Sequence, residues 1–120
     1  MTKVLIIDDH KSWLSVLKSI LVQSGFAVNV ASTAQAGLNQ INREKPDIIL
    51  LDLMMPHING YDLLETIRSN DSLNDIPIII LSARSQVADR QRAFDFGATD
   101  YLVKPVLPAD LIERIQTLTK

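Results

Sequence analysis

The stretch DIILLDLMMPHING, residues 47 to 60, places a single carboxylate, Asp52, directly after a strongly apolar run. Residues 47–51 have the composition of a strand in a parallel sheet that is covered on both faces. A carboxylate next to such a run is poorly solvated unless the strand is emerging at an edge of the sheet. The sequence therefore predicts that Asp52 is exposed at that edge, where it either ends the strand or carries out chemistry.

Length and composition narrow the possible classes of protein. The chain has 120 residues, 47% of them hydrophobic, and we expect one domain over residues 1–120. The absence of cysteine excludes disulfides and thiolate chemistry, and the N-terminal MTKVLIIDDH resembles neither a signal peptide nor a membrane span. We therefore expect a soluble, cytoplasmic protein. A net charge of −2 argues against direct binding of nucleic acid by this chain, and we expect no membrane partner.

Apolar runs of strand length alternate along the chain with segments of helical periodicity. The predicted strands are residues 4–7, 26–31, 47–51, 76–81 and 100–103. The predicted helices are residues 11–24, 33–44, 60–69, 85–96 and 108–119. Strict alternation predicts an α/β fold with a parallel sheet and right-handed crossovers.

Several residues predict where the helices begin and end. Gly25 is expected to cap the end of the first helix, and Pro108 to open the last one. Ser32 and Gln35 have the spacing of a capping box at the start of the second helix. The segment 85–96 has a thin apolar face, which predicts a loosely anchored helix.

Polar side chains follow four of the predicted strands. Asp8 and Asp9 follow the first strand, Asp52 the third, Ser82 the fourth and Lys104 the fifth. The carboxyl ends of parallel strands meet at one edge of a sheet, so these side chains should converge. Carboxylates about 5 Å apart would repel by about 3 kcal/mol a pair at an effective dielectric constant of 20. A purely structural cluster would hardly keep that cost, so we expect a bound cation.

The residue types at this edge of the sheet favour binding of Mg²⁺ and of a phosphoryl group. The available ligands are hard oxygens, which suit Mg²⁺ better than zinc. A carboxylate surrounded by a metal, an ammonium and a hydroxyl is suited to attack a phosphoryl group in line, with Asp52 as the nucleophile. Lys104 and Ser82 would then stabilise the oxygens of that group.

Four motifs together resemble the receiver domain of two-component response regulators over essentially the whole chain. They are VLIIDD (4–9), DIILLDLMMPHINGYDLL (47–64), IPIIILSA (76–83) and GATDYLVKP (97–105). The resemblance implies a flavodoxin-like, doubly wound (βα)5 three-layer sandwich with strand order 2-1-3-4-5. It also implies a phosphorylation-dependent switch in which Asp52 accepts a phosphoryl group from a sensor histidine kinase or a histidine phosphotransfer protein.

The same resemblance assigns the metal ligands. Asp9 and Asp52, with Asp8 directly or through water and the backbone carbonyl of Met54, are expected to hold Mg²⁺. Such a protein transforms no diffusible substrate and catalyses only its own aspartyl phosphorylation and dephosphorylation.

The resemblance further implies a set of switch residues. Ser82, where the family more often has threonine, would bond the phosphoryl group, and Lys104 would pair with it. The Lys104–Pro105 peptide is expected to be cis, and the ring of Tyr101 to turn inward as Ser82 moves. The surface expected to change, and to bind an effector or a second copy of the chain, comprises residues 85–96, 100–103 and 108–119.

Other residues and readings stay open at this level. His10 and His57 are expected in exposed loop or cap positions, Trp13 in core packing, and Pro56 in a tight turn. Met54 and Arg84 occupy positions from which side chains could control the access of the water that hydrolyses the acyl phosphate.

The alternative functions are a phosphohydrolase with an aspartyl nucleophile, a flavin-binding flavodoxin and a receiver that signals without phosphate. The acidic DDHKSW after the first strand disfavours a flavin phosphate.

Overall fold

A computed structural model of the protein describes residues 1–55 and 60–120. The strands are β1 (Lys3–Ile7), β2 (Ala27–Ala31), β3 (Ile48–Leu51), β4 (Ile78–Ser82) and β5 (Asp100–Val103). The helices are α1 (Lys11–Gln23), α2 (Ala34–Arg43), α3 (Gly60–Arg68), α4 (Val87–Asp95) and α5 (Pro108–Leu118). The predicted alternation is confirmed, with boundaries shifted by one or two residues. The predictions for Pro56 and His57 lie outside the described residues.

The strands form one parallel sheet in the order β2-β1-β3-β4-β5, as the resemblance implied. Successive residues of a strand point to opposite faces, and the central strands are apolar on both. One face carries Ile7, Leu51 and Ile80 in a core with residues of α2, α3 and α4. The other face carries Ile6 and Leu50 in a core with α1 and α5. This division produces the three layers of the sandwich.

Two of the predicted helix signals are confirmed and one is wrong. Gly25 adopts φ 96°, a left-handed conformation that glycine reaches without strain, and Pro108 begins α5. The cap of α2 is Thr33 rather than Ser32, because the Thr33 side chain accepts a hydrogen bond of 3.0 Å from the backbone N–H of Ala36. Gln35 does not complete a capping box, since its amide donates to Asn39 instead.

Arg68, at the end of α3, joins three segments by hydrogen bonds. Its Nε donates to the carbonyl of Gly97 and its Nη1 to the carbonyl of Ile76, both at 2.7 Å. Its Nη2 reaches Thr99 Oγ1 at 3.2 Å. Gly97 has φ 108°, and a Cβ built there would lie 2.6 Å from Arg68 Cγ, so both backbone angle and space require glycine. Arg68 therefore fixes the turn between α4 and β5.

Helix α4 is the least anchored helix of the described chain, as its sequence predicts. Ala93 is its one buried residue within Val87–Asp95, and Val87 is 80% exposed. Among the described residues, no helix combines the length and the apolar character needed to cross a membrane.

Candidate functional site

The site lies at the carboxyl edge of the sheet, where the register of four strands brings the predicted residues together. Leu51 pairs with both Ile7 and Ile80, so β1, β3 and β4 end at a similar level. Ser82 pairs with Val103, the residue before Lys104. The ends of the strands thus bring Asp8, Asp52 and Lys104 together, and the register places Ser82 at the end of the neighbouring strand.

Lys104 joins two of the carboxylates. Its Nζ lies 3.0 Å from Oδ2 of Asp8 and 3.5 Å from Oδ2 of Asp52. The Lys104–Pro105 peptide is cis, as expected. The backbone N–H of Lys104 donates to the carbonyl of Ser82 at 2.8 Å, which extends the pairing of β4 with β5 by one residue. The lysine is therefore held on the sheet while its ammonium reaches across two strands.

Asp52 is buried, which corrects the prediction that it is exposed. Its side chain is only 3% accessible. It keeps polar partners inside the protein, because the Met54 N–H donates to its Oδ1 at 2.9 Å and the Lys104 ammonium faces its Oδ2. Burial raises the pKa of the Asp52 carboxyl, Asp8 raises it further, and the Met54 N–H and Lys104 partly oppose this shift. The edge of the sheet is thus covered by the residues that follow the strands.

Asp8, Asp9 and His10 lie close to Asp52 and complete a group of possible metal ligands. Asp8 is 2% exposed, and its Oδ1 accepts from the backbone N–H of His10 at 3.0 Å. One ligand atom from each of Asp8, Asp9, His10 and Asp52 lies within 4.8 Å of the others. This separation agrees with the spacing of about 5 Å assumed for the carboxylates from the sequence.

Asp9 has an oxygen that a divalent cation would satisfy, and the ring of His10 lies beside it. Oδ1 of Asp9 is buried and accepts no hydrogen bond in the described structure, which is costly for a carboxylate oxygen without a cation. The ring of His10 is 65% exposed, as predicted for a cap position, and His10 precedes α1. Its Nδ1 nevertheless lies 3.2 Å from Oδ1 of Asp8, a contact that the sequence did not predict.

A chain of hydrogen bonds links Ser82 to Tyr101 through the backbone of Arg84. Oγ of Ser82 accepts from the Arg84 N–H at 3.1 Å, and the Tyr101 hydroxyl donates to the Arg84 carbonyl at 2.9 Å. Tyr101 is 2% exposed, so its ring already lies inward while Ser82 is bonded to Arg84, which differs from the expected inward turn as Ser82 moves. The two contacts hold residue 84 from both sides.

Met54 and Arg84, expected near the site, contact each other. The Arg84 Nε lies 3.1 Å from the Met54 sulfur, and Met54 is 47% exposed.

Trp13 packs against the core cluster of α1 and α5, as predicted, and its ring centroid lies 5.8 Å from the Lys104 ammonium. These side chains lie next to residues that carry the polar contacts of the site.

Comparisons with known proteins agree with this geometry. The chain is 41% identical over 118 residues to the "Probable transcriptional regulator ycf27" of Guillardia theta, covering 98% of this chain and 45% of that protein. It is 39% identical over 118 residues to the transcriptional regulatory protein PrrA of Mycobacterium leprae, covering 98% and 50%. The chain thus spans about half the length of these curated relatives.

The solved structure of the chemotaxis protein CheY4 of Vibrio cholerae superposes with a TM-score of 0.93 at 28% identity, covering 98% of both chains. The sequence profile of the response regulator receiver domain matches residues 4–116. Because this profile covers most of the sequence and the relatives align over nearly all of it, the chain belongs to the family of response regulator receiver domains.

Proposed function

We propose that the protein is a phosphorylation-dependent signalling switch in which Asp52 accepts a phosphoryl group. The position of the Lys104 ammonium, 3.0 Å from Asp8 and 3.5 Å from Asp52, is the observation that carries the proposal. A buried carboxylate beside a cation can be a nucleophile whose product, a phosphoryl group, finds a positive charge in place. The donor would be a phosphohistidine of a sensor histidine kinase or of a phosphotransfer protein, in keeping with the family.

The proposed reaction uses few groups. An oxygen of the Asp52 carboxylate attacks phosphorus in line, the P–N bond of the phosphohistidine breaks, and its electron pair returns to the donor imidazole. Lys104 would pair with one phosphoryl oxygen, and the hydroxyl of Ser82, which is fully buried beside Asp52's strand, would donate to another. Ser82 ends β4 and Lys104 directly follows the neighbouring β5, which limits the reorganisation that the reaction requires.

Asp8, Asp9, Asp52 and the backbone carbonyl of Met54 would hold the Mg²⁺ that this family generally binds at its aspartates. When bound, Mg²⁺ would neutralise charge on the carboxylates and on the phosphoryl oxygens. The buried, unbonded Oδ1 of Asp9 and the close approach of the carboxylates support this assignment. The role of these residues is to present their oxygens to the ion.

The signal would leave the site through Ser82 and Arg84. A phosphoryl group that draws the Ser82 hydroxyl toward it would compete with the hydrogen bond of 3.1 Å from the Arg84 N–H. Reversing a 1:99 equilibrium needs about 5.5 kcal/mol, and charge-assisted bonds supply roughly 1.5–3 kcal/mol each, so two or three new bonds suffice. Tyr101, bonded to the carbonyl of Arg84, would carry the change to β5.

The proposed output surface comprises α4, β5 and α5. Helix α4 has one buried residue among those described, so moving it costs little apolar contact. The surface would bind an effector region or protein, or a second copy of the chain after phosphorylation. The relatives named above are transcriptional regulators about twice as long as this chain, which supports transcriptional control as the output.

Intact mass spectrometry tests the proposal. A small acyl phosphate with Mg²⁺ should add about 80 Da to the protein. Asp52→Asn should stay unmodified, whereas Asp71→Asn, which changes an exposed carboxylate, should react like the wild type. No modification of the wild type would favour a receiver that signals without phosphate. Multiple turnover of a phosphate monoester, abolished by an Asp8 substitution, would favour a phosphohydrolase.

A further inference from the structure

The imidazole of His10 lies among the acidic side chains, although the proposed phosphorylation gives it no role. Its Nδ1 is 3.2 Å from Oδ1 of Asp8 and 3.5 Å from Oδ1 of Asp9. Two ligands of one metal ion, each bonded at about 2.1 Å, lie about 3.0 Å apart at octahedral angles and about 3.4 Å apart at tetrahedral angles. His10 Nδ1 is thus spaced from each of the two carboxylate oxygens like a neighbouring ligand of one ion.

Oδ1 of Asp8 accepts a hydrogen bond of 3.0 Å from the His10 backbone N–H, and a carboxylate oxygen keeps a second lone pair for a metal ion. Lys104 contacts the other oxygen of Asp8, Oδ2, so Oδ1 faces His10. Oδ1 of Asp9 is buried and accepts no hydrogen bond in the described chain, so a metal ion bound there would satisfy it. The His10 ring is 65% exposed, so an ion from solvent can reach Nδ1 without opening the core.

We propose that His10 is a nitrogen ligand that lets the acidic site bind a divalent transition metal, with Asp8 and Asp9 as its oxygen ligands. The inference rests on the proposed function, because the same carboxylates would hold Mg²⁺ for phosphorylation. His10 thereby sets the metal preference of the switch. A transition metal bound through His10 competes with Mg²⁺ for the carboxylates.

The preference follows from ligand chemistry. Mg²⁺ favours oxygen ligands and retains several waters, so a neighbouring imidazole adds little to its binding. Imidazole suits Zn²⁺, Cu²⁺, Ni²⁺ and iron, and affinity rises from Mn²⁺ to Cu²⁺ along the first transition row before falling at Zn²⁺. The metal takes the neutral ring at Nδ1, with the ring proton on Nε2. Replacing His10 should therefore weaken transition-metal binding selectively.

Titration calorimetry of untagged protein with Ni²⁺ and, separately, with Mg²⁺ tests the inference. His10→Ala should weaken Ni²⁺ binding at least about tenfold and change Mg²⁺ binding by less than about twofold. His57→Ala is the matched control, because it removes the only other histidine, and it should leave Ni²⁺ binding unchanged. Unchanged Ni²⁺ binding in His10→Ala, or equal losses for both metals, would overturn the inference.

A spectroscopic measurement separates a ligand from a residue that merely positions Asp8. The visible absorption bands of bound Co²⁺ respond to replacement of nitrogen by oxygen in its coordination shell, so the wild-type spectrum should change in His10→Ala. An identical Co²⁺ spectrum in both proteins would contradict ligation. These titrations need no phosphoryl group. A wild type that binds Ni²⁺ through His10 but never gains phosphate would therefore refute the proposed function alone.

Discussion

The hydroxyl of Tyr101 donates a hydrogen bond of 2.9 Å to the backbone carbonyl of Arg84. This bond ties β5 to the segment between β4 and α4, two residues beyond Ser82. The backbone N–H of Arg84 donates a hydrogen bond to Ser82 Oγ. The N–H and the carbonyl of Arg84 therefore link Ser82 to Tyr101. The inward position of the Tyr101 ring is thus coupled to the hydroxyl beside the candidate phosphorylation site.

Tyr101→Phe keeps the ring and removes only this donor. We expect a loss of about 1 kcal/mol in the free energy of unfolding, the usual net value of one hydrogen bond. Amide hydrogen exchange should accelerate around Arg84, because its carbonyl loses its bond to β5. Uptake of a phosphoryl group at Asp52 should persist. Exchange that is as slow as in the wild type would show that the Tyr101 hydroxyl does not restrain this segment.

Asp52→Asn should stabilise the protein at neutral pH when no metal is present. Burial raises the folded-state pKa of Asp52 above the ordinary aspartate value of 3.8, so ionisation at higher pH opposes folding. This loss in the free energy of unfolding is absent below pH 3.8. It grows as the pH rises toward the raised pKa and stays constant above it. Urea unfolding in a chelator should therefore show a gain for Asp52→Asn near neutrality that disappears at acidic pH. A wild type more stable than Asp52→Asn at neutral pH would contradict this sign.

Mg²⁺ should raise the melting temperature, because it binds the folded acidic site. A concentration one hundred times the dissociation constant adds about 2.7 kcal/mol, or about 10 °C for a domain of this size. Asp9→Asn should lose most of this shift, since it alters the carboxylate with the buried, unbonded oxygen. Asp71→Asn should keep the shift. A full Mg²⁺ shift in Asp9→Asn would exclude Asp9 as a ligand.

Arg68→Ala should destabilise the fold by about 2–4 kcal/mol, because several backbone carbonyls lose a charged donor. The affected carbonyls include those of Gly97 and Ile76. Arg68→Lys should recover only part of this loss, since an ammonium cannot reproduce the planar fork of the guanidinium. Arg43→Ala, at an exposed site, should change stability by no more than about 0.5 kcal/mol. Similar losses for Arg68→Ala and Arg43→Ala would contradict the structural role of Arg68.

The sequence predicts the sheet and the meeting of the site residues because both depend on strong, local signals. Apolar runs of strand length determine where the strands lie, and the polar residues after them must then share one edge. Lys104 reaches Asp8, 96 positions away in the chain, for this reason alone. The order of the strands across the sheet was predicted from the family resemblance, because apolar periodicity does not show which strands are neighbours.

The sequence predictions fail where two neighbouring residues could fill the same role, or where burial or a hydrogen bond depends on residues distant in the chain. Ser32 and Thr33 are both good caps, and only the backbone path shows that Thr33 reaches the Ala36 N–H. The burial of Asp52 depends on the residues that cover the end of β3, which a pattern within β3 cannot reveal. Arg68 gave no signal in the sequence, because its two shortest hydrogen bonds go to backbone carbonyls that any residue type would supply.

The central claim is that Asp52 is the phosphoacceptor, and the most direct measurement locates the phosphoryl group itself. The protein is treated with an acyl phosphate and Mg²⁺ and then with borohydride, which reduces an aspartyl phosphate to homoserine, and its peptides are sequenced by mass spectrometry. The account predicts homoserine at position 52 and at no other aspartate. Reduction at Asp8 or Asp9 with Asp52 intact, or a phosphoryl group on another residue type, would contradict it.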